Sequence, residues 1–163
     1  MSDNVRYEAM QPDRKVADLL GTWTVEFWKE QISTASVEKI STYFLKASYN
    51  HGNSLPKVIL AWDGDELAGG VVVADEDLPE FKQYGPWLSS LIVNPKYRDT
   101  GVGRQLALEA QSLAKRMGYK KIYAFTTHLT EWALRWHWKP IEKGKFKGLP
   151  VDVIEKELHW DYI

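Results

Sequence analysis

The chain has 163 residues, enough for one domain that buries roughly 70% of its unfolded surface, and residues 1–163 read as that single domain. Its 44% apolar and 26% charged residues are the balance of a folded globule, and 21 Lys and Arg against 22 Asp and Glu leave no positive field to draw nucleic acid. Lack of cysteine excludes disulfides, thiolate metal sites and a cysteine nucleophile; with no secretory pattern at the start and no apolar run near ~18 residues, a soluble cytoplasmic protein without a membrane partner is expected.

Residues 5–9 alternate weakly and predict a first strand. After Pro12, apolar residues recur at Val16, Leu19, Leu20, Trp23 and Phe27, the stripe of an amphipathic helix. Ser36 is placed to cap a second helix carrying Val37, Ile40, Tyr43, Phe44 and Ala47 on one face. Residues 57–62 and 66–74 read as strands around the turn Asp63-Gly64-Asp65, the second with a flexible pair, Gly69-Gly70, ahead of three valines. The acidic loop that follows holds Asp75, Glu76, Asp77 and Glu80. Two readings of it stand side by side: a solvated surface loop, or carboxylates that attract or deprotonate an amine.

Residues 87–93 form a fourth strand, apolar apart from Ser89 and Ser90 and hence central. A long amphipathic helix is predicted over 101–117, with Gly118 at its stop, then a fifth strand over 121–126. A short helical or irregular segment around 131–136 precedes a hairpin, 140–146 and 151–158, turning near 147–150. Strands interleaved with helices and antiparallel pairs indicate a mixed α/β sheet. The eight Trp and eight Tyr are either large core side chains or the lining of a substrate groove.

The candidate for chemistry lies where the fourth strand meets the long helix, at Arg98-Asp99-Thr100-Gly101-Val102-Gly103-Arg104, which by its glycines alone is either a plain connecting turn or an anion site. Glycines let the backbone turn tightly and approach a ligand closely. The first amides of a helix lack intrahelical partners, and with the helix dipole they suit a diphosphate. Arg98 and Arg104 add charge. A Walker loop needs Gly-Lys-Ser/Thr where Gly103-Arg104-Gln105 stands. A dinucleotide fingerprint needs a third glycine where Leu106 stands.

Leu91-Ile92-Val93-Asn94-Pro95 followed by Arg98-x-x-Gly101-x-Gly103 resembles motif A of the Gcn5-related N-acetyltransferases (GNAT), and residues 85–126 match that family's strand–loop–helix–strand core. The resemblance implies the acyl-CoA N-acyltransferase fold: about seven mostly antiparallel strands, splayed between the fourth and fifth, with about four helices. It implies acetyl-coenzyme A as co-substrate. The backbone at Leu91 and Val93 would pair with the pantetheine arm, and positions 98–104 would hold the diphosphate. A small-molecule or peptide amine is the implied acceptor, and the hairpin 140–158 is a candidate surface for a homodimer, an assembly common in the family. No metal is expected, because the four histidines are scattered.

The sequence departs from the family in two places. Many members carry Glu at the start of the fourth strand as general base, whereas Trp87-Leu88-Ser89-Ser90 offers no carboxylate; Glu76 and Asp77 are the candidates by chain position. The family's general-acid Tyr, after the fifth strand, falls on Ala133, so His128, His137, Tyr84 and Tyr97 are the possible substitutes. Loss of a general acid costs about 100- to 10,000-fold in rate, less for a thiol, which leaves readily. A weakly active or inactive acyl-CoA-binding module is therefore the alternative.

Overall fold

Seven segments with strand-forming residues build one sheet in a computed structural model that describes residues 4–159. The strands are β1 (Val5–Ala9), β2 (Lys57–Asp63), β3 (Glu66–Ala74), β4 (Trp87–Val93), β5 (Lys121–Thr126), β6 (Lys139–Phe146) and β7 (Leu149–Glu157). Their order is β1-β2-β3-β4-β5-β7-β6. Neighbours run antiparallel except β4 and β5, which are parallel. The helices are α1 (Arg14–Trp28), α2 (Val37–Ser48), α3 (Val102–Arg116) and α4 (Glu131–Arg135).

Local chemistry sets the helix ends. Asp13 caps α1, its Oδ1 accepting from the amides of Lys15 at 2.9 Å and Val16 at 3.3 Å. Ser36 caps α2, as predicted, by accepting from the Lys39 amide. Gly118 stops α3 in the left-handed region, at φ 93°, and its amide returns to the Lys115 carbonyl. At the hairpin, Lys147 and Gly148 both have positive φ, a two-residue turn, so β7 begins at Leu149 rather than at 151.

Helices α1 and α2 pack Val16, Leu20 and Phe44 onto one face of β2 and β3, while α3 packs Val102, Leu106 and Ala110 onto the other. Two expectations change here. Leu19 and Phe27 are exposed, at 43% and 58%, because α1 buries the face of Val16, Ala17, Leu20, Gly21 and Thr24 instead. Nor is Gly69 a point of flexibility. A Cβ there would sit 2.6 Å from the Ile92 carbonyl oxygen and 3.1 Å from Leu106, so its bareness lets β3, β4 and α3 close together.

The sheet is unevenly stitched. β5 and β7 pair over six consecutive residues, but β4 meets β5 only at Trp87 and Tyr123, where the Tyr123 amide donates to the Pro86 carbonyl at 2.9 Å. Fully buried Trp87 anchors this apex, with its Nε1 donating to the Tyr84 carbonyl. Beyond it the two strands part. The β3–β4 register also slips by one residue, Val72 facing Ser90 and Val73 facing Leu88, which leaves Ser89 in a bulge.

Candidate functional site

A cavity of about 700 Å³ fills the gap between the diverging strands. The β4 segment 88–92 forms its floor, α1 and α2 one wall, and α3, α4 and β5 the other. The backbone of β4 is available along this gap. The Asn94 amide donates to Ala68 on β3 at 2.9 Å, so strand alternation turns Ile92 the same way and the backbone groups of Leu91 and Val93 toward the opening.

The loop after β4 is built from short-range bonds. Asn94 Nδ2 donates to the Leu67 carbonyl, and its Oδ1 accepts from the Lys96 amide, which tightens a 3-10 turn over Pro95–Tyr97. Thr100 Oγ1 donates to the Tyr97 carbonyl. Asp99 (φ 63°) and Gly101 (φ 95°) take left-handed conformations, and α3 starts from Gly101 without a side-chain cap. The amides of Val102, Gly103 and Arg104 thus lack both intrahelical and side-chain partners. A Cβ on Gly103 would lie 3.2 Å from Val93 Cγ2.

Two positive side chains share this corner. The Arg104 guanidinium lies 3.8 Å from the centroid of the Trp136 ring. Lys156 on β7 is buried, and burial, with the nearby Arg104 charge, holds its pKa below the ordinary lysine value. Lys156 escapes sequence reasoning because alternation along β7 gives no sign of a lysine turned inward. Arg98 and Asp99 are exposed. Val93 and residues 98–104 do not line the cavity itself, but Ala107, about one helical turn further along α3, does.

The acidic loop divides. Asp75 and Glu76 are exposed, and Glu80 Oε1 accepts from the Lys145 amide at 3.0 Å, which ties the loop to β6. Asp77 turns inward and lines the cavity. Its Oδ2 is the one buried side-chain polar atom among the described residues without a hydrogen-bond partner. Burial pushes its pKa up to about 7 against a countering hydrogen bond with Ser89, the bulged residue of β4. Tyr43, on α2 and also on the cavity, has its phenol pushed up to about 12, first by burial and then by the charges of Asp77 and Asp75. It stays a neutral donor at physiological pH.

The substitutes expected for a general acid fare unequally. The single Tyr97 hydroxyl proton is shared between Asp63 Oδ2 and Glu66 Oε1, at 2.8 and 2.6 Å, and these acceptors raise its pKa, Glu66 most. Tyr84 donates to Glu142 Oε2 at 2.7 Å and stacks on Tyr123. Neither lines the cavity, nor does His137; His128 does, and so does buried Ala133. Among the described residues no three His, Cys, Asp or Glu gather as a metal site, and no helix is long and apolar enough to cross a membrane.

Residues 18–139 match the model of the acetyltransferase (GNAT) family. Comparison with curated protein sequences gives no match. Among solved structures, yncA from Salmonella typhimurium with its cofactor acetyl-CoA superposes with a TM-score of 0.69 at 13% identity, covering 97% of this chain and 96% of that one. An aminoglycoside 6'-acetyltransferase type Ii gives 0.70 at 18% identity, covering 94% and 97%. A GNAT family acetyltransferase from Elizabethkingia anophelis with acetyl-CoA bound gives 0.62 at 18% identity, covering 96% and 100%. These similarities establish the fold, including its mostly antiparallel seven strands with one parallel pair.

Proposed function

The chain belongs to the acetyltransferase (GNAT) family, and on that premise we propose that it transfers the acetyl group of acetyl-coenzyme A to a primary amine held beside Asp77. The observation that carries this reading is a buried, unpartnered carboxylate oxygen on the wall of the cavity that opens along β4. Acetyl-coenzyme A is supported by the acetyl-CoA present in two of the similar structures, and by the fit of this chain's own groups to it. Uncapped amides at the start of α3 and the open backbone edge of Leu91 and Val93 suit a diphosphate and an extended amide-bearing arm.

Bound acetyl-coenzyme A would supply an acyl carbon activated as a thioester, so that a C–N bond to the amine would form as the C–S bond breaks, the thiolate taking up the second proton that the nitrogen sheds on becoming an amide. The rest is done by the chain. Asp99, Thr100 and Gly101 shape the turn, the amides of Val102, Gly103 and Arg104 hold the diphosphate, and Arg98 and Arg104 add charge. Asp77, near half-ionised at neutral pH, takes the proton of the incoming ammonium and frees its lone pair. Exposed Glu76 adds only a general attraction for cations. A backbone amide near Leu91 or Val93 meets the charge that develops on the carbonyl oxygen, worth roughly 3 kcal/mol.

Ala133 on the cavity wall favours a second reading, a coenzyme-binding module with little catalysis, since a methyl group cannot protonate the leaving thiolate. Isothermal titration with acetyl-coenzyme A tests the binding half. Saturable binding is expected, and none at millimolar ligand would end both readings. Thiol release with an amine panel then separates them.

A further inference from the structure

The lining of the cavity narrows the class of acceptor, an inference that rests on the acetyl-transfer reading above. One wall is a continuous run of aromatic rings drawn from separate elements. Phe27 meets Trp28 edge-on at 5.1 Å, Trp28 meets Phe146 at 5.4 Å, and Phe146 meets Phe125 at 4.8 Å. All four rings line the cavity, and Phe27 remains 58% exposed, a cost in water that an apolar ligand would relieve. Charge on the lining is sparse and lopsided. Among the described residues that line it Asp77 is the only carboxylate, whereas Lys39 and Lys147 both line it and both are exposed.

We infer that the acceptor is a monoamine, with one ammonium directed at Asp77 and an aromatic or alkyl body laid along the Phe27–Trp28–Phe146–Phe125 wall. A polyamine or an aminoglycoside brings further ammonium groups that meet lysines instead of carboxylates, and the aminoglycoside's hydroxyls would be set against rings that accept no ordinary hydrogen bond. The volume agrees. About 700 Å³, shared between the coenzyme arm and the acceptor, leaves room for one ring system rather than for a folded peptide. The likeness to an aminoglycoside acetyltransferase concerns the fold, on which acceptor sites differ freely.

The test begins with calorimetry of acetyl-coenzyme A and proceeds to kcat/KM, by thiol release, for 2-phenylethylamine, spermidine, kanamycin and a tetrapeptide with an N-terminal Phe. With the coenzyme bound, 2-phenylethylamine is expected to lead the others by about tenfold or more, the discrimination that one to two buried methylene equivalents or an unpaired charge supplies. In Lys39→Glu, an exposed site on α2, the ratio of spermidine to phenylethylamine should rise several-fold. A lead for spermidine, kanamycin or the peptide, or no acetylation of any of the four, overturns the inference while leaving coenzyme binding intact. Failure of the coenzyme to bind would instead defeat the acetyl-transfer reading. Quenching of tryptophan fluorescence would then decide the acceptor class alone: saturable with phenylethylamine and absent with spermidine supports it, and no saturable signal with phenylethylamine overturns it.

Discussion

Two loops leave neighbouring strands of the same sheet, and they work by opposite means. The loop after β4 offers backbone: left-handed Asp99 and Gly101, then three amides without partners. The loop after β3 offers one side chain, Asp77, and keeps Asp75 and Glu76 in solvent and Glu80 bound to β6. A backbone site depends on conformation, so bulk harms it more than loss of a functional group. A side-chain site depends on one titrating atom pair and its surroundings, so an isosteric change of charge is the most damaging.

The largest expected effect tests the second loop. In Asp77→Asn, which keeps the volume and removes the base, kcat/KM should fall about 100- to 10,000-fold, while calorimetry with acetyl-coenzyme A is unchanged. The wild-type profile of log kcat/KM should climb by one per pH unit up to about 7 and then level, because the ionised form is the active one. A break in the ordinary carboxylate range would remove Asp77 from the role.

The first loop should respond to bulk. In Gly103→Val the dissociation constant for acetyl-coenzyme A is expected to rise at least about tenfold, or ~1.4 kcal/mol. Gly103→Ala should do less, since its methyl needs Val93 Cγ2, 3.2 Å away, to give only slightly. An Arg98→Ala effect equal to that of Gly103→Val would break the contrast between backbone and side chain.

The smallest effect is on stability. The folded pKa of Asp77, about 7, lies above its unfolded value, so ionisation opposes folding increasingly from pH 4 to 7 and fully above 7. Asparagine escapes that penalty. The Tm of Asp77→Asn should therefore exceed wild type by several degrees at pH 8, for a penalty on the order of a few kcal/mol, and by nothing near pH 4. Equal melting at pH 8 would mean that the carboxylate is better solvated than its burial indicates.

The same contrast governs what could be read in the sequence. β1, β3, β4 and β5 end where alternation and turn residues put them, and Gly101 and Gly103 marked the start of α3 because their spacing has local causes. Asp77 could be named only alongside Glu76, as one of two candidate bases in a loop of four acids. What singles it out is the packing of the cavity wall around it and the bulge at Ser89, neither of which has a local signature. Tyr43 and Phe27 fit helical stripes, yet they stand at the margin of those stripes and face the cavity. The aromatic wall assembles residues more than 110 positions apart, Phe27 and Phe146, and periodicity cannot see that pairing.

The single ladder pair between β4 and β5, Trp87 with Tyr123, has a mechanical consequence. The molecule carries a seam through the middle of its own sheet, closed at one end by a buried indole and left unlaced for the remainder. A guest that hydrogen-bonds along the β4 edge becomes a missing rib of the scaffold, and occupancy would be felt as stiffness on both banks of the seam. Amide exchange in β5, on the far bank of the seam, would slow on saturation, making the protein's rigidity a gauge of its charge state with substrate.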